Sequence, residues 1–315
     1  MIGIDLGSNT LRVIQIDCKS GKTIAEYERM VKTADGLVQT GMISEAAEKR
    51  VIAAVKEAKV QLDFDTDRYR AVTTEAMRRA ANRLAVIESI EKETGITFEI
   101  IGSDEEAMLT LLAVEHRLKS LAGSRSDTEY KKRSFLLVDI GGGSTELIFD
   151  YQGKAYSRSF PVGIVTVSQS YKTLEGIKGA LPELMADMQS YCNAIFTRLG
   201  KTEAFVATAG TPTTIAAMKL GQNHASYNPE VVNGTLLDID DLDSALKQLL
   251  EMSPDERETA VGVGRSDLIS AGILIFRQLF SIAAAKQCMV IDDGLREGVA
   301  LKACADELTF TADSI

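Results

Sequence analysis

The stretch FLLVDIGGGSTELIFD, residues 135–150, joins two apolar, strand-like segments through a turn that contains three successive glycines. The segment 135–138 is short, continuous and apolar, as expected of a strand that is buried on both faces. Because glycine lacks a Cβ, backbone N–H groups in such a turn can approach an anion closely. The stretch therefore predicts an anion-binding turn between two neighbouring strands.

The polar residues around this turn favour a metal-assisted phosphate site. The small residues expected to contact phosphate are Gly141, Gly142, Gly143, Ser144 and Thr145. Asp139 and Glu146 flank them and supply carboxylates, which suit a hard cation. We therefore expect Asp139 and Glu146 to hold Mg²⁺ or another divalent cation.

A second copy of the pattern lies at the N-terminus, in IGIDLGSNTLRVIQID, residues 2–17. Strand, aspartate, apolar residue, glycine, small polar turn and strand follow one another in the same order. The phosphate contacts predicted here are Asp5, Gly7, Ser8, Asn9 and Thr10. Either loop alone could be an ordinary glycine-containing hairpin turn. The repetition instead indicates two halves of one architecture, with the active site expected in the cleft between them.

The chain of 315 residues is long enough for two domains of typical size. Residues 123–133 are polar and include glycine, serine, aspartate and lysine, which is typical of a linker. We therefore predict one domain over residues 1–124 and a second over residues 134–315. The last helix is the element of the second domain that could pack back on the first.

The net charge of −10 disfavours broad binding to nucleic acid or to anionic membranes. No run of 18 apolar residues and no signal-like N-terminus is present, so we expect a cytoplasmic protein. A local basic lining could still attract an anionic substrate within a Debye length of about 8 to 10 Å. The candidates for that lining are Arg12, Arg78, Arg79, Arg83 and the run 131–133, although the run is also typical of a solvated linker.

The four cysteines are Cys18, Cys192, Cys288 and Cys304. They are far apart and show no CxxC spacing. This pattern argues against both a disulfide framework and a zinc site.

Two strand-to-helix turns carry further candidates. Ser103 is followed three residues later by Glu106, which is the spacing of a helix capping box. The same position would also let the Glu106 carboxylate polarise an attacking water, and both interpretations stay open. Gly210 and Thr211 begin a predicted helix after a short strand, where a phosphate or nucleotide contact and a plain connection are both possible.

Four motifs occur together in this order: DLGSNT at 5–10, SDEEA at 103–107, DIGGGSTEL at 139–147 and GLREG at 294–298. With them, nearly the whole chain resembles the exopolyphosphatase/guanosine pentaphosphate phosphatase family, within the actin, Hsp70 and sugar-kinase superfamily. The resemblance implies an α/β fold of two ribonuclease-H-like domains with an interdomain cleft. Any one of these motifs alone would be weak, but the combination is specific.

The resemblance also implies roles for individual residues. Glu106 matches the carboxylate that activates water, Arg78 an arginine near the terminal phosphate, and Arg265 a phosphate or nucleotide contact. Met108 departs from the family, since many members have arginine there. The chain also stops soon after GLREG, so it resembles a short form without the appended helical HD-like region, which puts a processive hold on long polyphosphate in doubt.

The activity implied by the resemblance is release of terminal orthophosphate from inorganic polyphosphate. One alternative is removal of the 5′-terminal phosphate of guanosine pentaphosphate at the same site. Others are an ATP-dependent kinase or ATPase, and a non-catalytic protein that binds polyphosphate or guanosine penta- or tetraphosphate. A homodimer is left open, because the sequence does not fix the oligomeric state.

Overall fold

The computed structural model describes residues 1–62, 64, 68–123, 134–262, 264–266 and 268–312, with side chains described as far as residue 307. The predicted linker beyond Gly123 and the basic run 131–133 lie outside the described residues. The chain forms two compact units. The first comprises residues 1–113 and the segment from Asp293 onward, and the second comprises residues 114–292.

The first unit is built on a five-stranded sheet. Its strands are Ile2–Leu6 (β1), Thr10–Ile16 (β2), Thr23–Met30 (β3), Tyr69–Thr73 (β4) and Glu99–Ile100 (β5). Their order is β3-β2-β1-β4-β5. β1, β2 and β3 form an antiparallel meander, whereas β4 and β5 extend the other side of β1 in parallel.

The helices that follow these strands are Leu37–Thr40 (α1), Glu45–Gln61 (α2), Glu75–Arg79 (α3), Arg83–Thr94 (α4) and Ser103–Ala122 (α5). Local signals in the sequence account for several of their ends. The Ser44 hydroxyl accepts a hydrogen bond from the N–H of Ala47 and caps α2. Gly95 takes the left-handed conformation that ends α4.

The second unit is built on a six-stranded sheet. Its strands are Ser134–Ile140 (β6), Thr145–Tyr151 (β7), Lys154–Phe160 (β8), Ala204–Thr208 (β9), Leu236–Leu237 (β10) and Cys288–Val290 (β11). Their order is β10-β11-β9-β6-β7-β8. Its helices are Ile164–Tyr171 (α6), Leu174–Leu184 (α7), Ala186–Leu199 (α8), Gly210–Lys219 (α9), Pro229–Val232 (α10), Ile239–Glu251 (α11), Pro254–Val261 (α12) and Ile269–Ala283 (α13).

The two sheets share one topology. In the second unit β6, β7 and β8 form the antiparallel meander, and β9 and β11 extend the sheet from β6 in parallel. Both glycine-containing loops therefore occupy the same position, the turn of the first hairpin of a sheet. This confirms the α/β fold class and the relation between the two halves that the repeated motif predicted.

The last helix, Leu295–Ala312 (α14), packs against β1, β2 and β4 of the first unit. Val299 of this helix lies in a buried apolar cluster with Val72 of β4 and Leu109 of α5. The segment from Asp293 onward is therefore compact with residues 1–113. The domain boundaries proposed from the sequence stay a prediction.

Cys18 and Cys304 form a disulfide, with their Cα atoms 5.3 Å apart and a sequence separation of 286. The prediction of no disulfide was wrong. Sequence spacing could not show this pair, because only the packing of α14 on the first sheet brings the cysteines together. Disulfides are typical of oxidising compartments, so the expected cytoplasmic location stays a prediction.

The other two cysteines, Cys192 and Cys288, are buried and free. Burial raises the pKa of the Cys192 thiol to about 12 and also raises the pKa of Cys288. Both thiols are therefore protonated at neutral pH and act as packing groups. No helix in the described part of the chain is both long and apolar enough to cross a membrane.

Candidate active site

The carbonyl groups of the N-terminal loop accept hydrogen bonds from other residues of the first unit. The N–H of Gly7 donates to the carbonyl of Thr10 at 3.0 Å and closes the turn. The Ser8 carbonyl accepts from the N–H of Ala34, and the Asn9 carbonyl accepts from the N–H of Val31. Within the described part of the chain, no group accepts a hydrogen bond from the N–H of Ser8 or Asn9. Two consecutive N–H donors therefore remain for a ligand.

The glycine loop of the second unit repeats this arrangement. The N–H of Gly141 donates to the carbonyl of Ser144 at 2.9 Å. The carbonyls of Gly141 and Gly142 accept from Ile164 at 3.0 Å and from Val165 at 2.8 Å, at the start of α6. The N–H groups of Gly142 and Gly143 have no acceptor among the residues that the structure describes. Successive amides of this kind form an anion-binding concavity.

Gly163 is needed for the approach of α6 to the glycine loop. A Cβ at Gly163 would overlap the backbone of Gly142 and Gly143. Only glycine therefore lets the first N–H groups of α6 reach the loop carbonyls. This contact fixes the orientation of the loop's peptide groups. It leaves the N–H groups of Gly142 and Gly143 without an acceptor among the described residues.

A row of polar residues crosses the hairpin beside the glycine loop. Asp139 of β6 lies opposite Glu146 of β7, which lies opposite Ser159 of β8. Glu146 is only 2% exposed, and its Oε1 accepts hydrogen bonds from the hydroxyls of Ser144 and Ser159, each at 2.7 Å. No sequence signal pointed to Ser159, because the contact depends on the pairing of β7 with β8.

The matching row of the first unit carries a different set of charges. There Asp5 of β1 lies opposite Arg12 of β2, and Arg12 forms a 3.2 Å ion pair with Glu28 of β3. The residue opposite Asp5 in the strand register is therefore an arginine, whereas the residue opposite Asp139 is another carboxylate.

The residues of the second hairpin fit a divalent cation with few protein ligands. Among the described residues, no group of three or more histidine, cysteine, aspartate or glutamate side chains is arranged to hold a metal. Mg²⁺ usually takes one or two carboxylates, with water and substrate phosphate completing its coordination. The donor pair of Asp139 and Glu146 agrees with that preference.

Arg78 and Glu106 meet in the first unit. The Nη1 of Arg78 donates to Oε2 of Glu106 at 2.7 Å and to the carbonyl of Ile101 at 2.9 Å. Its Nε and Nη2 donate to Oε2 of Glu75. Burial by itself would lower the pKa of Arg78, but the charges and hydrogen bonds of Glu106 and Glu75 outweigh burial and raise it.

The contact with Arg78 goes beyond what a capping role for Glu106 requires. The N–H of Glu106 donates to the carbonyl of Gly102 at 3.0 Å in a regular helical bond. Its carboxylate, on a residue only 8% exposed, is held by Arg78. The catalytic role of Glu106 itself stays a prediction.

Other predicted contacts have structural partners. The Thr145 hydroxyl donates to the buried carbonyl of Val162 at 2.6 Å, and the Thr10 hydroxyl lies 3.9 Å from the sulfur of Met30. Gly210 begins α9, and its carbonyl accepts from the hydroxyl of Thr214 at 2.6 Å. None of these contacts tests the phosphate-binding roles predicted for the three residues, so those roles stay predictions.

The last two candidates lie beside helix starts. Thr211, in the first turn of α9, is buried, and its side chain touches the position where a Cβ of Gly272 would lie. Arg265 lies in the turn before α13, where its carbonyl accepts from the N–H of Leu268 at 2.9 Å. Their predicted ligand contacts also stay predictions.

Residues 13–307 match the model of the Ppx/GppA phosphatase family. A curated relative, Exopolyphosphatase 2 of Mycobacterium tuberculosis, is 26% identical over 95% of this chain and 96% of its own length. The crystal structure of the Aquifex aeolicus Ppx/GppA family member is similar with a TM-score of 0.73 and 29% identity, covering 97% of each chain. An exopolyphosphatase from Cytophaga hutchinsonii shares the fold, with a TM-score of 0.79 and 22% identity over 96% of this chain and 97% of that chain.

Proposed function

Because the chain belongs to the Ppx/GppA phosphatase family, we propose that it releases terminal orthophosphate from inorganic polyphosphate. Family membership makes the chain a phosphoanhydride hydrolase. The observation that carries the proposal is the pair of matched loops, each with two consecutive N–H groups that have no acceptor among the described residues. Such donors suit the negative oxygens of a phosphate chain end.

The loops provide binding and charge stabilisation. In the proposed reaction, the N–H groups of Ser8, Asn9, Gly142 and Gly143 donate to phosphate oxygens. Fixed donors of this kind need no reorganisation as negative charge develops, so they stabilise the transition state more effectively than mobile water does.

Glu106 is proposed as the group that orients the attacking water and accepts its proton. Its contact with Arg78 holds the carboxylate in one orientation, and a general base must be positioned in this way. Phosphoryl transfer of this kind relies on positioning and electrostatics, and no covalent intermediate on the protein is needed.

Asp139 and Glu146 are proposed to hold Mg²⁺ or another divalent cation. When bound, such a cation would neutralise charge on the phosphate oxygens. The two serine hydroxyls that donate to Oε1 of Glu146 fix the direction in which its second oxygen points. The contribution of the chain is thus to present two carboxylates from neighbouring strands on one face of the sheet.

A phosphate-release assay tests the proposal. Purified protein is supplied with polyphosphates of several lengths, guanosine pentaphosphate and ATP in the presence of Mg²⁺. We expect turnover of polyphosphate, and we expect Glu106→Gln to reduce kcat by about 10²- to 10⁴-fold. The matched control is Glu105→Gln, because the exposed side chain of Glu105 pairs with Arg70 instead. Equal activity of the two variants would remove Glu106 from the mechanism.

Hydrolysis of guanosine pentaphosphate is the second candidate, since the same loops would bind its 5′-terminal phosphate. A higher kcat/KM for this substrate than for polyphosphate would favour it. Calorimetric binding of either ligand without phosphate release in excess Mg²⁺ would instead indicate a non-catalytic binder.

A further inference from the structure

Arg78 is held on two sides by protein groups. Four of its five N–H groups make hydrogen bonds: Nε and Nη2 donate to Oε2 of Glu75 at 3.3 and 3.1 Å, and Nη1 donates to Glu106 and to the carbonyl of Ile101. Glu75 begins α3, three residues before Arg78, so both side chains lie on the same face of that helix.

The three charged side chains of this cluster are largely shielded from water. The exposed fractions are 17% for the Glu75 side chain, 18% for Arg78 and 10% for Glu106. Ion pairs that are shielded in this way are screened less by salt than exposed pairs are.

Glu75 occupies the edge of the guanidinium that is suited to bind phosphate. Arginine commonly binds carboxylate or phosphate through two parallel N–H groups, and the Nε and Nη2 pair forms one such edge. In this structure that edge faces a carboxylate of the protein. The remaining nitrogen, Nη1, is directed to Glu106 and to the backbone.

We propose that Glu75 is a positioning residue: it fixes the guanidinium of Arg78, so that Arg78 holds Glu106 in the orientation that water activation requires. The inference rests on the proposed function and deepens it. It assigns Arg78 to the carboxylate of Glu106 instead of to the terminal phosphate, which is the role that the family resemblance implied for it.

The long side chain of Arg78 needs such a partner, because an arginine side chain has many rotamers and stays in one of them only where fixed acceptors hold its guanidinium. Without Glu75, the Nε and Nη2 groups would lose the acceptor that fixes them. The guanidinium would then turn away from Glu106.

Crystal structures of Glu75→Ala and of a control variant test the positioning directly. The control is Glu57→Ala, which removes a glutamate that pairs with Arg29 on the same unit. In Glu75→Ala we expect the distance between Nη1 of Arg78 and Oε2 of Glu106 to exceed about 3.5 Å, beyond a hydrogen bond. In the control it should stay at the 2.7 Å found here. A distance of 2.7 Å in Glu75→Ala as well would overturn the proposal.

Kinetics supply the functional test. We expect Glu75→Ala to lower kcat about 10- to 100-fold with KM changed less than about twofold, because substrate binding is not affected. Glu75→Gln should recover most of this loss, since its amide oxygen still accepts from Nε. The double variant Glu75→Ala/Arg78→Ala should be no slower than Arg78→Ala alone, because the two residues act as one unit.

The outcomes separate this inference from the proposed function. If the unaltered protein releases no phosphate from any substrate, the proposed function fails, and the crystallographic distance still decides whether Glu75 positions Arg78. If the protein is active but the losses of the two single variants add in the double variant, the positioning role is overturned.

Discussion

Asp139 and Glu146 lie directly opposite each other on β6 and β7, so two carboxylates share one face of the hairpin that bears the glycine loop. The equivalent place in the first unit has Asp5 opposite Arg12. Two carboxylates placed opposite each other in this way are a donor pair that a divalent cation could share.

A substitution of Ser159 tests the proposed metal site without removing either of its proposed ligands. Because Ser159 donates to Oε1 of Glu146, we expect Ser159→Ala to loosen the carboxylate and weaken Mg²⁺ binding about tenfold. Calorimetric titration of the substrate-free protein with Mg²⁺ measures this. Ser157→Ala is the control, since Ser157 lies on the same strand opposite Ile148 and should leave the affinity unchanged. Equal affinities in the two variants would contradict a metal ligand role for Glu146.

The disulfide between Cys18 and Cys304 should stabilise the first unit. It joins cysteines with a sequence separation of 286 and links α14 to the end of β2, so we expect its reduction to lower the free energy of unfolding by about 2 to 5 kcal/mol. Guanidinium unfolding with and without a reductant measures the change. Cys18→Ser should unfold like the reduced protein and should not respond to the reductant. Four titratable thiols in the unfolded, unreduced protein would show that the bond does not form.

Gly298 in α14 permits the contact of that helix with α5. A Cβ there would overlap the carbonyl group of Leu109, so we expect Gly298→Ala to destabilise the protein by about 1 to 3 kcal/mol through overpacking. The control is Gly179→Ala in α7, where no atom lies within 4 Å of the added Cβ. That change should stabilise by about 0.5 to 1 kcal/mol, because alanine favours the helix. Denaturant midpoints of the two variants that shift in the same direction would contradict this account.

Ala209 adopts φ 75° and ψ 179°, a conformation that is nearly restricted to glycine. It lies at the junction of β9 and α9. Since the strain of such a residue is on the order of 1 to 3 kcal/mol, we expect Ala209→Gly to raise the free energy of unfolding by about 1 kcal/mol. The control is Ala180→Gly within α7, where the same substitution should lower the free energy of unfolding by about 1 kcal/mol because glycine disfavours a helix. A lower stability of Ala209→Gly in chemical unfolding would show that the strain is absent in solution.

Local patterns in the sequence were sufficient for the elements that carry the loops. The two hairpins followed from short apolar segments separated by small residues, because strand alternation and turn chemistry are local properties. The cap at Ser44 and the left-handed Gly95 were likewise readable, since each depends on only a few neighbouring residues. The repetition of the loop motif indicated the duplication, because each copy is a short run of adjacent residues.

Contacts between strands and helices required the fold. The partnership of Ser159 with Glu146 depends on the register of β7 and β8. The Arg78 cluster is intermediate: the three-residue spacing of Glu75 and Arg78 was visible, but Glu106 joins them only through the placement of α5. The approach of α6 to the glycine loop could not be predicted from the sequence either.

The strands, the two glycine loops, the duplicated α/β class and the family resemblance could all be obtained from the amino-acid sequence, because each rests on the chemistry of adjacent residues. Long-range packing was needed for the disulfide, the place of α14 on the first sheet, and the side chains that hold Glu106 and Glu146. These features depend on residues distant in the chain, which become neighbours only when apolar faces are buried together.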